Sequence, residues 1–164
     1  MAKKIKMEHP NKGYMEMAIA EAKKAFQEGQ YPLGAVVVCG QEVLAIAHTT
    51  LHETNDPSAH AEMNAIRMAA QKKKSRYLEG AWLYTTQEPC PMCTAAAIWA
   101  KMAGIVFGAN KDDALKIFKK QKNGKFTWRQ IDLSAARIIS QGKPKLKLYK
   151  DFLRKECLNL YQLQ

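Results

Sequence analysis

His60-Ala61-Glu62 and Pro89-Cys90-Pro91-Met92-Cys93 are the stretches that decide how this chain folds and what it holds. Together they supply an imidazole, two thiols and a carboxylate, donor types that suit zinc. A structural zinc site takes four protein ligands, whereas a catalytic one takes three and keeps the fourth tetrahedral position for water. His60, Cys90 and Cys93 make three, and Glu62 stands close enough to the first to exchange a proton with water in the fourth position. Pro91 suits the first position of a helix, so unpaired N–H groups and the positive end of a dipole favour thiolate at both cysteines. Two plainer readings compete. A C-x-x-C alone is also a redox motif or half of a structural zinc site, with Cys39 or Cys157 as a further ligand. Neither needs a carboxylate beside His60, so Glu62 selects the catalytic reading.

Around these motifs lie 164 residues, enough for one domain over 1–164 with a proper core. Four cysteines, two of them in the C-x-x-C, are not a disulfide framework and suit a reducing compartment. The basic start, Met1-Ala2-Lys3-Lys4-Ile5-Lys6-Met7, lacks the apolar run of a signal peptide. No stretch approaches the ~20 apolar residues of a membrane span. The sequence therefore predicts a soluble, cytoplasmic protein with no membrane partner.

The net charge of +11 is unevenly placed. Residues 1–100 carry 11 Lys and Arg against 10 Asp and Glu, and residues 101–164 carry 15 against 5. The excess includes Lys116, Lys119, Lys120, Lys122 and Lys125, then Lys143, Lys145, Lys147 and Lys150. Such a third attracts polyanions, including a nucleic-acid backbone. A solvated, solubilising surface also explains it, and the composition leans that way. Lysines outnumber arginines 21 to 5, and arginine is the residue that reads phosphate geometry.

Periodicity predicts a helix over 14–28, with Met17, Ala18, Ala22, Ala25 and Phe26 recurring at helical spacing and Gly29 as a stop. Gly34–Cys39 and Val43–Ala47 read as strands of a hairpin joined by Gly40-Gln41. A polar loop from His48 to Pro57 leads to Ser58, the expected N-cap of a helix running to about Lys73. Ala81–Thr85 is a third strand, then come a helix from Pro91 to about Lys101, a strand over Gly104–Gly108 and a helix from about Asp112 to Lys120. Lys145–Tyr149 reads as a fifth strand and Phe152–Leu160 as the closing helix. Residues 123–143, with Trp128 and Arg129, read either as a lid over a pocket or as an extra helix over Ser134–Ser140. Alternation of helices and strands predicts an α/β domain with helices on both faces of a sheet.

The motifs His60-Ala61-Glu62 and Glu88-Pro89-Cys90-Pro91-Met92-Cys93 resemble those of the cytidine-deaminase-like superfamily. The resemblance is clear over about residues 14–120. It implies a three-layer α/β/α fold with a five-strand mixed sheet, the fourth and fifth strands parallel, and a homodimer. It further implies zinc-dependent hydrolytic deamination of a nucleobase or nucleoside. His60, Cys90 and Cys93 would bind Zn2+, and Glu62 would be the catalytic proton shuttle. Glu88 would orient the second cysteine loop, unless it serves a structural ion pair.

Within the superfamily, Asn55-Asp56-Pro57-Ser58-Ala59-His60-Ala61-Glu62 is similar to both bacterial guanine deaminases and tRNA adenosine deaminases. Ile98-Trp99-Ala100 after the cysteines looks more like the guanine branch, in which the tryptophan lies beside the purine. Lys111-Asp112-Asp113-Ala114-Leu115-Lys116 lacks the Gly- and Ala-rich stretch of the tRNA branch. Against guanine, Thr49 stands where both branches usually have asparagine, and Phe118-Lys119-Lys120-Gln121 lacks the guanine branch's acidic pair. The closing Phe152-Leu153-Arg154-Lys155-Glu156-Cys157 is closer to the tRNA branch. The expected substrate is a free purine such as guanine, and the expected pocket residues are Thr49, Trp99, Asp113, Phe26 and Ala61. The alternatives are an adenosine in tRNA, cytosine or a related pyrimidine, and an inactive zinc module that binds RNA through the basic C-terminal third.

Overall fold

A computed structural model describes residues 8–120 and 130–163. The chain runs through α1 (Lys12–Gln27), β1 (Gly34–Cys39), β2 (Glu42–His48) and a short α2 (Leu51–Thr54). α3 (Ala61–Lys73), β3 (Ala81–Gln87), α4 (Pro91–Trp99), β4 (Gly104–Ala109) and α5 (Lys111–Lys120) follow. The described remainder comprises α6 (Ala135–Gln141), β5 (Lys147–Tyr149), α7 (Arg154–Asn159) and a 3-10 turn over Leu160–Gln162.

The strands form one mixed sheet in the order β2-β1-β3-β4-β5. β1 pairs antiparallel with both β2 and β3. β3, β4 and β5 run parallel, β4 and β5 being joined through helices as expected. Strand alternation sends successive side chains to opposite faces, and here both faces are covered. Val36, Val38, Trp82, Tyr84 and Val106 pack with Tyr14, Met15 and Ala18 of α1 and Cys157 of α7. Ala35, Val37, Leu83 and Ile105 pack with Ala61, Ala65 and Ala69 of α3, Ala97 and Ile98 of α4, and Ile139 of α6. The result is the three-layer α/β/α arrangement.

Close approach of α1 to the sheet rests on Gly34. A Cβ there would run into the carbonyl oxygen of Ala18 and lie 2.7 Å from the Ala22 nitrogen. The hairpin turn uses Gly40 at φ +60, which glycine adopts without a steric cost.

Several boundaries differ from the sequence reading. The loop after β2 contains α2, and β5 is three residues long. The last helix starts at Arg154 rather than Phe152, because Asp151 and Leu153 take left-handed φ values of 57 and 50 and turn the chain first. For residues 134–140 the extra helix holds: Ser134 caps α6 by accepting from the Arg137 N–H. Trp128 and Arg129, with the rest of 121–129, lie outside the described residues.

Candidate active site

The carboxyl end of β3, the central strand, delivers Glu88, Pro89 and Cys90 to the top of the sheet, and α3 begins beside it. Ser58 is the better capping residue by type, yet it does not cap α3. Its N–H and hydroxyl both turn back to Asp56 Oδ1 at 2.7 Å. His60 takes the N-cap position of α3 and Cys90 that of α4, and neither side chain makes a capping hydrogen bond. Both side chains are thereby left for another task, at the positive ends of two helices.

His60 Nδ1 lies 3.6 Å from the sulfur of Cys90 and 3.6 Å from that of Cys93, and the sulfurs are 3.6 Å apart. Zinc bonds of about 2.1 Å to nitrogen and 2.3 Å to sulfur set tetrahedral edges of roughly 3.6–3.8 Å. The donor set and its spacing therefore fit zinc. Among the described residues this is the one group of three such donors close enough to share an ion. Cys39 and Cys157 are not part of it, so the structural-site reading lacks a fourth protein ligand.

The electrostatics agree. The Cys93 thiol and His60 both hydrogen-bond the Cys90 sulfur and bring its pKa down to about 4. Cys93 moves the other way, because it keeps the proton shared with Cys90 and is buried beside Glu62. The bond to Cys90, and the charge of Glu62, raise His60 against the effect of its burial.

Glu62 is 5% exposed. Its Oε1 accepts from the Thr85 hydroxyl at 3.3 Å, and its Oε2 lies 3.7 Å from the Cys93 sulfur. Burial pushes the carboxyl pKa up, opposed by His60 and by the Thr85 hydrogen bond. A carboxyl raised in this way accepts and returns protons nearer neutral pH than an exposed one. Glu62, His60 and Cys90 line a cavity of about 440 Å³, within the ~300–1,000 Å³ usual for small-ligand sites.

Other expected pocket residues are placed elsewhere. Trp99 stands at the far end of α4, 80% exposed and outside the residues that line the cavity. It lies six positions after Cys93, and the helix ends there with Trp99 turned to solvent. Asp113 is buried, but its carboxylate accepts from Arg154 Nη2 and Nε at 2.6 and 2.9 Å and from the Asn110 N–H at 3.0 Å. It joins α5 to α7. Thr49 is fully buried and donates to the Ala59 carbonyl at 3.1 Å, bracing the turn before His60 from behind. Phe26 is half-buried on α1, and Ala61 packs into the core; neither lines the cavity.

Glu88 lines the cavity, although its carboxylate binds something other than the cysteine loop. Oε2 accepts from the Lys111 N–H at 2.9 Å and Oε1 from the Ala135 N–H at 3.0 Å. It satisfies the first residues of α5 and α6 together. Lining residues that the sequence did not single out include Tyr31, Leu33, Leu51, His52, Lys111, Gln130, Ile131 and Leu133. Most sit in connections, where no periodic pattern marks which way a side chain faces. Thr85, the partner of Glu62, looks like any polar residue at a strand end.

Comparison with known proteins gives a consistent result. The family described as cytidine and deoxycytidylate deaminase zinc-binding region matches residues 8–109. A tRNA-specific adenosine deaminase of Bacillus subtilis is 50% identical over 97 residues, 58% of this chain and 60% of that protein. The guanine deaminase of the same organism is 36% identical over 104 residues, 63% of this chain and 65% of that one. The match thus spans less than two thirds of either relative. A solved structure from a study of A-to-I editing by tRNA:A34 deaminases superimposes with TM-score 0.75 and 30% identity, covering 92% of this chain and 99% of that chain.

Proposed function

This chain belongs to the cytidine and deoxycytidylate deaminase zinc-binding family, and from that premise we propose that it hydrolytically deaminates an adenosine presented in RNA. The observation that carries the reaction class is Glu62, a buried carboxylate beside three zinc-fitting donors at a cavity wall. Bound zinc supplies Lewis acidity, lowering the pKa of water from about 15.7 toward ~7. Glu62 takes the proton of the attacking water and passes it to the ring nitrogen beside the amine-bearing carbon. The same carboxylate then takes the second proton, from the hydroxyl added to the carbon, and delivers it to the amine; as the C=O forms, the carbon–nitrogen bond breaks and ammonia leaves. Thr85 holds Oε1 and leaves Oε2 as the working oxygen. Walls of Leu33, Leu51, Pro57 and Leu133 keep bulk water from the bound base.

The choice of RNA over free guanine rests on three supports. The tRNA-specific adenosine deaminase of Bacillus subtilis is 50% identical over its matched stretch, against 36% for the guanine deaminase of the same organism. Trp99, the residue that favoured a free purine, is 80% exposed and does not line the cavity. Lys116, Lys119, Lys120, Lys143, Lys145, Lys147 and Lys150 are all exposed, as contact with a phosphate backbone requires. Guanine remains the second reading on the strength of the guanine deaminase relative. No helix among the described residues is long and apolar enough to cross a membrane.

The test is ammonia release from an anticodon stem-loop, adenosine, guanine and cytosine, with Glu62→Ala as control. Release from the stem-loop that vanishes in the variant supports the proposal. Turnover of guanine alone replaces it with the second reading. RNA binding that falls steeply with salt, without ammonia, points to an inactive RNA-binding module.

A further inference from the structure

Two walls flank the reacting centre, and they come from opposite sides of β3. Tyr31 and His52 belong to the segments entering β1 and leaving β2, whereas Lys111 and the strap 130–134 belong to the β4 side. The strap has neither helix nor strand, so side chains must fix its position. Lys111 Nζ meets Asp132 Oδ1 at 2.5 Å in its middle. Glu88 accepts from Ala135 N at its end and from Lys111 N at the same time. Lys111 and Glu88 thus form one clamp on the strap.

What the clamped strap presents is unusual for a wall. Ile131 and Leu133 line the cavity yet are 67% and 39% exposed, so they stand at its mouth. Gln130 also lines it, and its Oε1 is buried with no hydrogen-bond donor among the described residues. Large aliphatic side chains left in water gain from being covered by a ligand, and a buried orphan acceptor gains from a donor. In a purine nucleoside whose amine-bearing carbon faces Glu62, the glycosidic nitrogen is at the other end of the ring system. The sugar therefore stands at the mouth, where a free base leaves nothing.

We propose that the strap Gln130–Ser134 is the specificity wall of the site. Ile131 and Leu133 cover the ribose, selecting a base carried on ribose over a free base, and Lys111 is a positioning residue that acts through Asp132. The proposal rests on the adenosine reading above and adds to it the residues that discriminate.

The experiment uses the zinc-loaded chain carrying Glu62→Gln, whose turnover is slow on the timescale of a titration, and calorimetric Kd values for adenine, adenosine and an anticodon stem-loop. Ile131→Ser weakens adenosine and the stem-loop about tenfold and adenine by less than about twofold. Asp132→Asn weakens the same two ligands about threefold, the scale of one exposed ion pair, again sparing adenine. Equal loss for all three ligands, no loss for any, or no binding of either ribose-carrying ligand overturns the strap proposal. Binding of adenosine with the expected losses but none of the stem-loop overturns the RNA reading and leaves the strap standing.

Discussion

Replacing Glu88 with glutamine separates two accounts of this residue. Its two oxygens serve the N–H groups of Lys111 and Ala135, at 2.9 and 3.0 Å, which open α5 and α6. Hydrogen bonds to a charged group contribute about 1.5–3 kcal/mol each. Glutamine keeps one acceptor oxygen and sets an NH2 against the other N–H, so one bond is lost and the survivor loses its charge. Glu88 is half-buried at the cavity wall, and water replaces part of what is removed. The net cost is about 2 kcal/mol, a fall in Tm of roughly 4–8 °C for a chain of this size. Urea unfolding of the zinc-loaded protein measures the cost. Hydrogen exchange at Lys111 and Ala135 should quicken while zinc content stays constant. Loss of zinc with those amides still protected would refute the reasoning, and would mean that the carboxylate serves the cysteine loop after all.

Other expectations follow from the same geometry. Glu62→Gln retains zinc and lowers ammonia release by roughly 10²–10⁴, the usual contribution of a placed proton-transfer group; loss of zinc in the variant would make Glu62 a ligand instead. Cys93→Ser removes one of three protein ligands, so zinc is lost on dialysis that the parent survives, as metal analysis would show. Gly34→Ala drives a methyl into the backbone of α1 and destabilises by about 1–3 kcal/mol or more, checked by the urea midpoint. Burial alone would raise the pKa of Asp113, but the hydrogen bonds and charge of Arg154 outweigh it and hold the pKa below the usual carboxylate value. Its contribution to stability is present above the unfolded-state pKa and is lost as pH falls through the lower, folded-state pKa. Asp113→Asn is therefore less stable than the parent at pH 7, and the gap closes below about pH 4; a gap constant with pH would show that the charge is irrelevant.

Much of the fold was legible because each sheet strand and its covering helix carries its own pattern. Val36 to Val38 could only be a strand buried on both faces, and α3 places Ala65, Ile66 and Ala69 inward. The metal donors were legible because two short motifs hold them at fixed spacing on two helix starts. The rest of the pocket depends on tertiary placement. Nothing local tells that Trp99 ends its helix in solvent, or that Asp113 finds Arg154 on a helix far along the chain. Lys111 stood just before the expected helix with no role read for it, and its ammonium meets Asp132, which only the folded chain brings near. Ser58 was the stronger cap by residue type, and the turn it makes with Asp56 is what frees His60 for its position.

The two vacant helix caps give the donor trio a second consequence. A cation shared by His60, Cys90 and Cys93 ties two distant points of the chain, as a disulfide would, and closes the whole segment between them. Closing a loop of that length restrains the unfolded chain by about 3–4 kcal/mol on the disulfide scale. Unlike a disulfide, this clasp needs no oxidant and opens to a chelator. The reacting centre is then also a reversible cross-link, and metal supply sets how readily α3 and α4 fray at their starts and how soon the segment from residue 60 to residue 90 meets a protease.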